Sequence, residues 1–149
     1  MSTNILLTLA KGLSRAGHED QMYGGRPYSY HIDCVVSKVG FLFGESPKLS
    51  SLKIVAYLHD LLEDTSTSPS DLFAYGFSQE IVDAIVAISK IDGESLEDYY
   101  VRVVKNKLAF KVKIVDTLSN LEHSCPESQT KRIKKYTNQI QRLYELKGK

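Results

Sequence analysis

The chain has 149 residues, 42% of them hydrophobic and 25% charged, which suits one globular domain with its own core and excludes both a second large domain and a disordered chain. Nineteen basic residues against 18 acidic ones leave a formal charge of +1, so no global field points to nucleic acid or an anionic membrane, and any anion site must be local. Cys34 and Cys125 lie far apart and match neither a disulfide framework nor a zinc knuckle, which points to a reducing, cytoplasmic setting.

At the N-terminus Ile5, Leu6, Leu9 and Leu13 recur at helical spacing over residues 3 to 16, with no basic n-region, cleavage site or membrane-length apolar run. The stretch AGHEDQMYGGRPY then forbids continuation and reads as a loop. YHIDCVVSKVGFLFG, residues 30 to 44, returns to three- and four-residue apolar spacing and reads as a helix, although its β-branched residues would also suit a strand. Ser50 or Ser51 is the expected cap of a helix through Leu52, Val55, Ala56, Leu58 and Leu62 that runs on to the Ser/Thr/Pro cluster after Asp64. Asp71 opens a short segment ending at Gly76. Ser78 caps QEIVDAIVAISK, with Ile81, Ile85, Val86 and Ile88 as its buried face, and IDGES is a turn.

LEDYYVRVVKN and AFKVKIVDTLSNLEHS read as two further helices, the second because its apolar pattern runs past the strand-like FKVKIV to Leu118 and Leu121. The tail from Ser128 sets Ile133, Tyr136, Ile140, Leu143 and Leu146 along one face of a basic amphipathic helix. The expected fold is therefore all-α, a compact single-domain helical bundle over residues 1–149, with a C-terminal helix at about 128–148 packed on it.

One stretch does not suit a plain bundle. AYLHDLLEDT places His59, Asp60, Glu63 and Asp64 among core leucines, where unpaired carboxylates are too costly to keep and a bound cation would remove the penalty. An imidazole beside a carboxylate suits Mn, Fe or Zn better than Ca. Two ligands make a poor site. Among the remaining histidines and acids, His31 and Asp116, the one acid inside the apolar run VKIVDTLSNL, are the natural additions. Glu63 and Asp64, one helical turn beyond His59 and Asp60, then stay free to accept a proton from water activated by the metal, which is the arrangement of a hydrolase. His18 reads as a surface loop residue and His123 as compensating a helix dipole, so both stay outside the metal set.

Taken in order, HEDQMYGGRPYSYH, HDLLEDT and VKIVDTLSN resemble the HD-domain superfamily, in particular the hydrolase domain of RelA/SpoT-type proteins and the small alarmone hydrolases. The resemblance runs from about Gly17 to Leu121 and implies an HD-type bundle. It also implies a manganese ion on His31, His59, Asp60 and Asp116, with Glu63 and Asp64 activating water and Asn120 one turn past the last ligand. The implied reaction is removal of the 3'-pyrophosphate from ppGpp and pppGpp. Two departures stand out. The family's Arg-Lys pair after its glutamine is replaced by Met22, Tyr23, Gly24, Gly25 and Arg26, and its DRLHN is DTLSN here, with Thr117 and Ser119 in place of an arginine and a histidine. Tyr23 is a candidate to stack on a base and Arg26 to reach a phosphate, or both are ordinary loop residues. Lys113 either faces the phosphates or is a solvated helix lysine.

The leading expectation is thus a manganese-dependent phosphohydrolase whose partner is a small nucleotide, with no membrane role. The alternatives are the same chemistry on a nucleoside monophosphate, a cyclic nucleotide or NADPH, a nucleotide-binding regulator without turnover, or a module that binds a partner through the C-terminal helix. Nucleic acid is not the expected partner even of the basic tail, which reads as a packed terminal helix with a solvated face, and homo-oligomerisation stays open.

Overall fold

The structure is a computed structural model that describes residues 2–126 and 129–149. It is an all-α bundle carrying one two-residue hairpin. Helix α1 (Thr3–Gly17) leads into strands β1 (Met22–Tyr23) and β2 (Arg26–Pro27), paired antiparallel. Gly24 makes their turn possible, because its φ of 59° lies in the left-handed region. Pro27, with φ already at −55°, then starts α2 (Tyr28–Leu42).

Helices α3 (Leu49–Leu58) and α4 (Leu61–Asp64) follow, where the sequence reads one continuous helix. The break falls at His59 and Asp60. His59 Nδ1 bonds back to the carbonyl of Ala56 at 2.8 Å and so competes with the helical ladder, while Asp60 sits at φ −104°, ψ −2°, in the bridge region where helices turn. Neither Ser50 nor Ser51 is the cap of α3. The helix begins at Leu49 with Lys48 at the cap position, because Leu49 packs against the core and draws the start upstream.

Helix α5 (Pro69–Ala74) also starts earlier than Asp71. Ser68 and Asp71 form a reciprocal capping box around Pro69 at the first helical position. In α6 (Gln79–Ile88), Ser78 is at the cap position as expected, but Val86 is exposed and Val82 is buried instead, since Val82 shares a stripe with Ile85 while Val86 lies around the helix from it. Helices α7 (Leu96–Lys105) and α8 (Lys107–Ser124) meet at Asn106, whose side chain accepts from Ala109 N at 2.9 Å and restarts the helix without a loop. The last helix, α9, spans Thr130–Lys147, and the expected start at Ser128 lies outside the described residues.

Every helix sends at least one side chain into one buried apolar cluster, from Ala10 of α1 to Leu143 of α9. Helix α3 packs against α1, α2, α6 and α8, and α8 packs against α2, α6, α7 and α9 as well. Polar groups on α2, α8 and the α3–α4 break therefore meet in the interior. Among the described residues, no helix is long and apolar enough to cross a membrane.

Candidate metal centre

His31 from α2, His59 from the α3–α4 break and Asp116 from α8 are all buried, and each offers a ligand atom within 4.8 Å of the others. His31 Nε2 lies 3.0 Å from Asp116 Oδ1, and His59 Nε2 lies 3.5 Å from the same oxygen. Asp60 joins from the side, its Oδ2 at 3.0 Å from His59 Nε2. It is fixed there by the hydroxyl of Tyr28, which donates to Asp60 Oδ2. The three buried residues form a cluster able to hold a metal ion.

The donor set suits a cation. His59 Nδ1–H donates to the Ala56 carbonyl, which turns Nε2 toward two carboxylates, as a lone pair for an ion or, without one, as the N–H of an imidazolium. His31, His59 and Asp116 offer two imidazole nitrogens and a carboxylate oxygen, a mixed N/O donor set. Without an ion, protons and Lys113 must balance the charge. Burial opposes the His59 imidazolium, yet Asp60 and Asp116 overcome it and hold that proton well above the usual histidine range. Asp60 is correspondingly lowered to about 2, its burial outweighed by His59 and by the Tyr28 hydroxyl. Burial would raise Asp116, but Lys113, whose Nζ is 2.9 Å from Asp116 Oδ2, and the two histidines push it well below the carboxylate range.

This centre opens into a cleft of about 290 Å³. Glu63 and Asp64 line it, as do Lys90, Lys113 and Lys135, so the cluster and its acids are faced by three cations. Glu63 Oε1 accepts from Lys90 N at 2.8 Å, while burial pushes its proton affinity up against that bond. Asp64 Oδ2 accepts from Gln21 Nε2 at 3.0 Å. Asn120 donates to Asp116 Oδ1 at 2.9 Å and accepts from the Tyr23 hydroxyl at 2.7 Å. Tyr23 in turn stacks on His31, with ring centroids 4.8 Å apart.

Of the loop residues expected to meet the substrate, Tyr23 lines this cleft and Arg26 does not. Its guanidinium lies 4.3 Å from the Tyr30 ring centroid and lines a neighbouring depression with Tyr23, His123 and Arg132. Lys113 is a half-buried partner of Asp116, and the solvated reading of it falls. His18 is only 3% exposed, against the surface position expected for it. Tyr28, Gln21, Lys90 and Lys135 were missed. Tyr28 carries one sequence signal, its place in the RPYSYH run that ends on His31, whereas the others are ordinary polar residues whose role comes only from packing.

No protein-family model matches the chain, and no curated protein matches it.

Proposed function

We propose that this chain is a manganese-dependent phosphohydrolase of the HD type, acting on a phosphorylated nucleotide, with the 3'-pyrophosphate of ppGpp and pppGpp as its first substrate. The observation that carries the reading is the convergence of His31, His59 and Asp116 from three separate segments beneath a cleft whose rim holds Glu63 and Asp64. Asp60, held by Tyr28, completes the proposed ligand set. A divalent ion there would supply Lewis acidity, which lowers the pKa of water from about 15.7 toward about 7.

The chain's own groups account for the rest. Glu63 Oε2 has no hydrogen-bond partner among the described residues, and burial makes the carboxyl a stronger base, so it is the atom assigned to take the proton from the attacking water. Lys90, Lys113 and Lys135 counter the phosphate charge, and Lys113 also neutralises Asp116. Tyr23 and Asn120 form the wall through which a nucleoside would enter. The proposed setting is cytoplasmic, in keeping with free Cys34 and Cys125.

A second reading keeps the chemistry and changes the nucleotide. Arg26 is engaged on Tyr30, and Tyr23 on His31 and Asn120, so both loop residues that would contact a guanine already have internal partners. The test is pyrophosphate release from ppGpp by metal-stripped protein with and without manganese, beside an Asp60→Ala control and a panel of a nucleoside monophosphate, a cyclic nucleotide and NADPH. Manganese-dependent release that the control lacks supports the alarmone reading. Turnover of another nucleotide with ppGpp untouched selects the second. No turnover of any, with Glu63→Gln and Asp64→Asn binding nucleotides as the parent does, would leave a regulator.

A further inference from the structure

We propose that His18 and Gln21 are positioning residues that fix Asp64 at the rim of the metal cleft. The inference rests on the phosphohydrolase reading and deepens it at two residues outside the metal set. His18 follows α1 directly and is buried, although the surrounding loop is polar. Its Nδ1 lies 2.8 Å from Gln21 Oε1, and Gln21 Nε2 donates to Asp64 Oδ2 at 3.0 Å.

The far end of this relay fixes every hydrogen in it. A carboxylate only accepts, so Gln21 must turn its NH2 toward Asp64. Its carbonyl oxygen then faces His18, and His18 must carry hydrogen on Nδ1 to donate to it. His18 Nε2 is left buried and without a hydrogen-bond partner. A side chain kept for packing alone would not bury an unpaired ring nitrogen, because an apolar group of similar volume avoids that desolvation penalty. Tyr28 stands against the same ring, with centroids 4.9 Å apart, and donates to Asp60, so one aromatic wall backs both Asp60 and the relay to Asp64.

The relay divides the work of the two rim acids. Glu63 presents a free oxygen of raised proton affinity and takes the proton. Asp64 has Oδ2 committed to Gln21 and keeps Oδ1, which has no partner among the described residues, to orient the attacking water. Loss of the relay should therefore slow turnover without weakening substrate binding.

The test joins three variants, His18→Leu, His18→Asn and Gln21→Leu, to 15N NMR of the histidine rings, which needs no turnover. The expected spectrum shows His18 protonated on Nδ1 and a Gln21 side-chain amide signal that moves in Asp64→Ala. His18→Leu and Gln21→Leu should lower kcat about 10–100-fold with KM near the parent value, as loss of an orienting partner does. His18→Asn, whose amide nitrogen can take the place of Nδ1, should recover most of that loss. Should His18→Leu fail to fold, His18→Asn and Gln21→Leu still decide. A ring protonated on Nε2 alone, or unchanged kcat in Gln21→Leu, would overturn the relay. If the parent turns over no nucleotide, the phosphohydrolase reading fails, and the His18 tautomer with the Gln21 signal alone then supports or overturns the relay.

Discussion

Loading the centre with a divalent ion should expel one proton, and the proton should come from His59. In the metal-free protein Asp60 and Asp116 hold the His59 imidazolium well above the usual histidine range, against the opposing effect of burial, while both carboxylates stay ionised at neutral pH. A metal needs the neutral imidazole, so at pH 7 the ion must displace that proton, whereas Lys113, also held protonated by Asp116, keeps its own. Below the raised pKa each unit of pH works against binding by about 1.36 kcal/mol, so the apparent Kd for manganese should weaken about tenfold from pH 7 to pH 6. Titration calorimetry in two buffers of different ionisation enthalpy measures the release directly, and about one proton per ion is expected at pH 7. Asp60→Asn, which removes the main support of the His59 charge, should cut that number. The same shift sets a stability trend in the metal-free protein. A histidine raised in the folded state contributes stability fully below its unfolded value of about 6.5 and loses it as pH rises through the folded pKa, so the stripped protein should weaken on the alkaline side. Zero proton release at pH 7 together with a Kd that does not move between pH 6 and 7 would refute the assigned charge state of the cluster.

Other perturbations have equally definite outcomes. Tyr28→Phe removes the hydroxyl that donates to Asp60, so urea unfolding should show a loss of about 1.5–3 kcal/mol, the range for hydrogen bonds to charged groups. The same variant should bind manganese about 10–100-fold more weakly in a direct titration. Arg102 ties the carbonyls of Val86, Ala87 and Ser89 to Glu94, and the next residue, Lys90, donates its N–H to Glu63. Arg102→Met should therefore lower stability by about 1.5–3 kcal/mol and also lower kcat, while a mere stability effect would leave kcat at low temperature unchanged. Leu143 is fully buried on α9, and Leu143→Ala should cost about 2–5 kcal/mol by chemical denaturation and loosen the helix that brings Lys135 and Tyr136 to the cleft.

What could be read from the sequence followed from periodicity and from polar residues in the wrong place. The tail's apolar stripe, ending at Leu143 and Leu146, was legible because helical spacing shows which face is buried, and Leu143 is indeed in the core. His59 and Asp116 stood out because each interrupts an apolar run, and the fold brings both to His31. The break at His59 and Asp60 was hidden, since the pair carries no glycine or proline to signal it and the bond from His59 to the Ala56 carbonyl exists only in the folded chain. Burial of His18 and the departure of Arg26 toward Tyr30 depend on how the GHEDQMYGGRPY loop folds back over α2, and no spacing rule encodes that. Lys90 follows α6 and Lys135 lies on α9, and only the fold brings both to the cleft.

The most direct test is a manganese titration of metal-stripped protein in which bound ion, by electron paramagnetic resonance, and pyrophosphate release from ppGpp are followed in the same samples. The account predicts one tightly bound ion per chain, a rate that rises in step with occupancy, and loss of both in Asp116→Ala. Full occupancy with no hydrolysis of ppGpp or of any nucleotide in the panel, or hydrolysis that persists in Asp116→Ala, would contradict it.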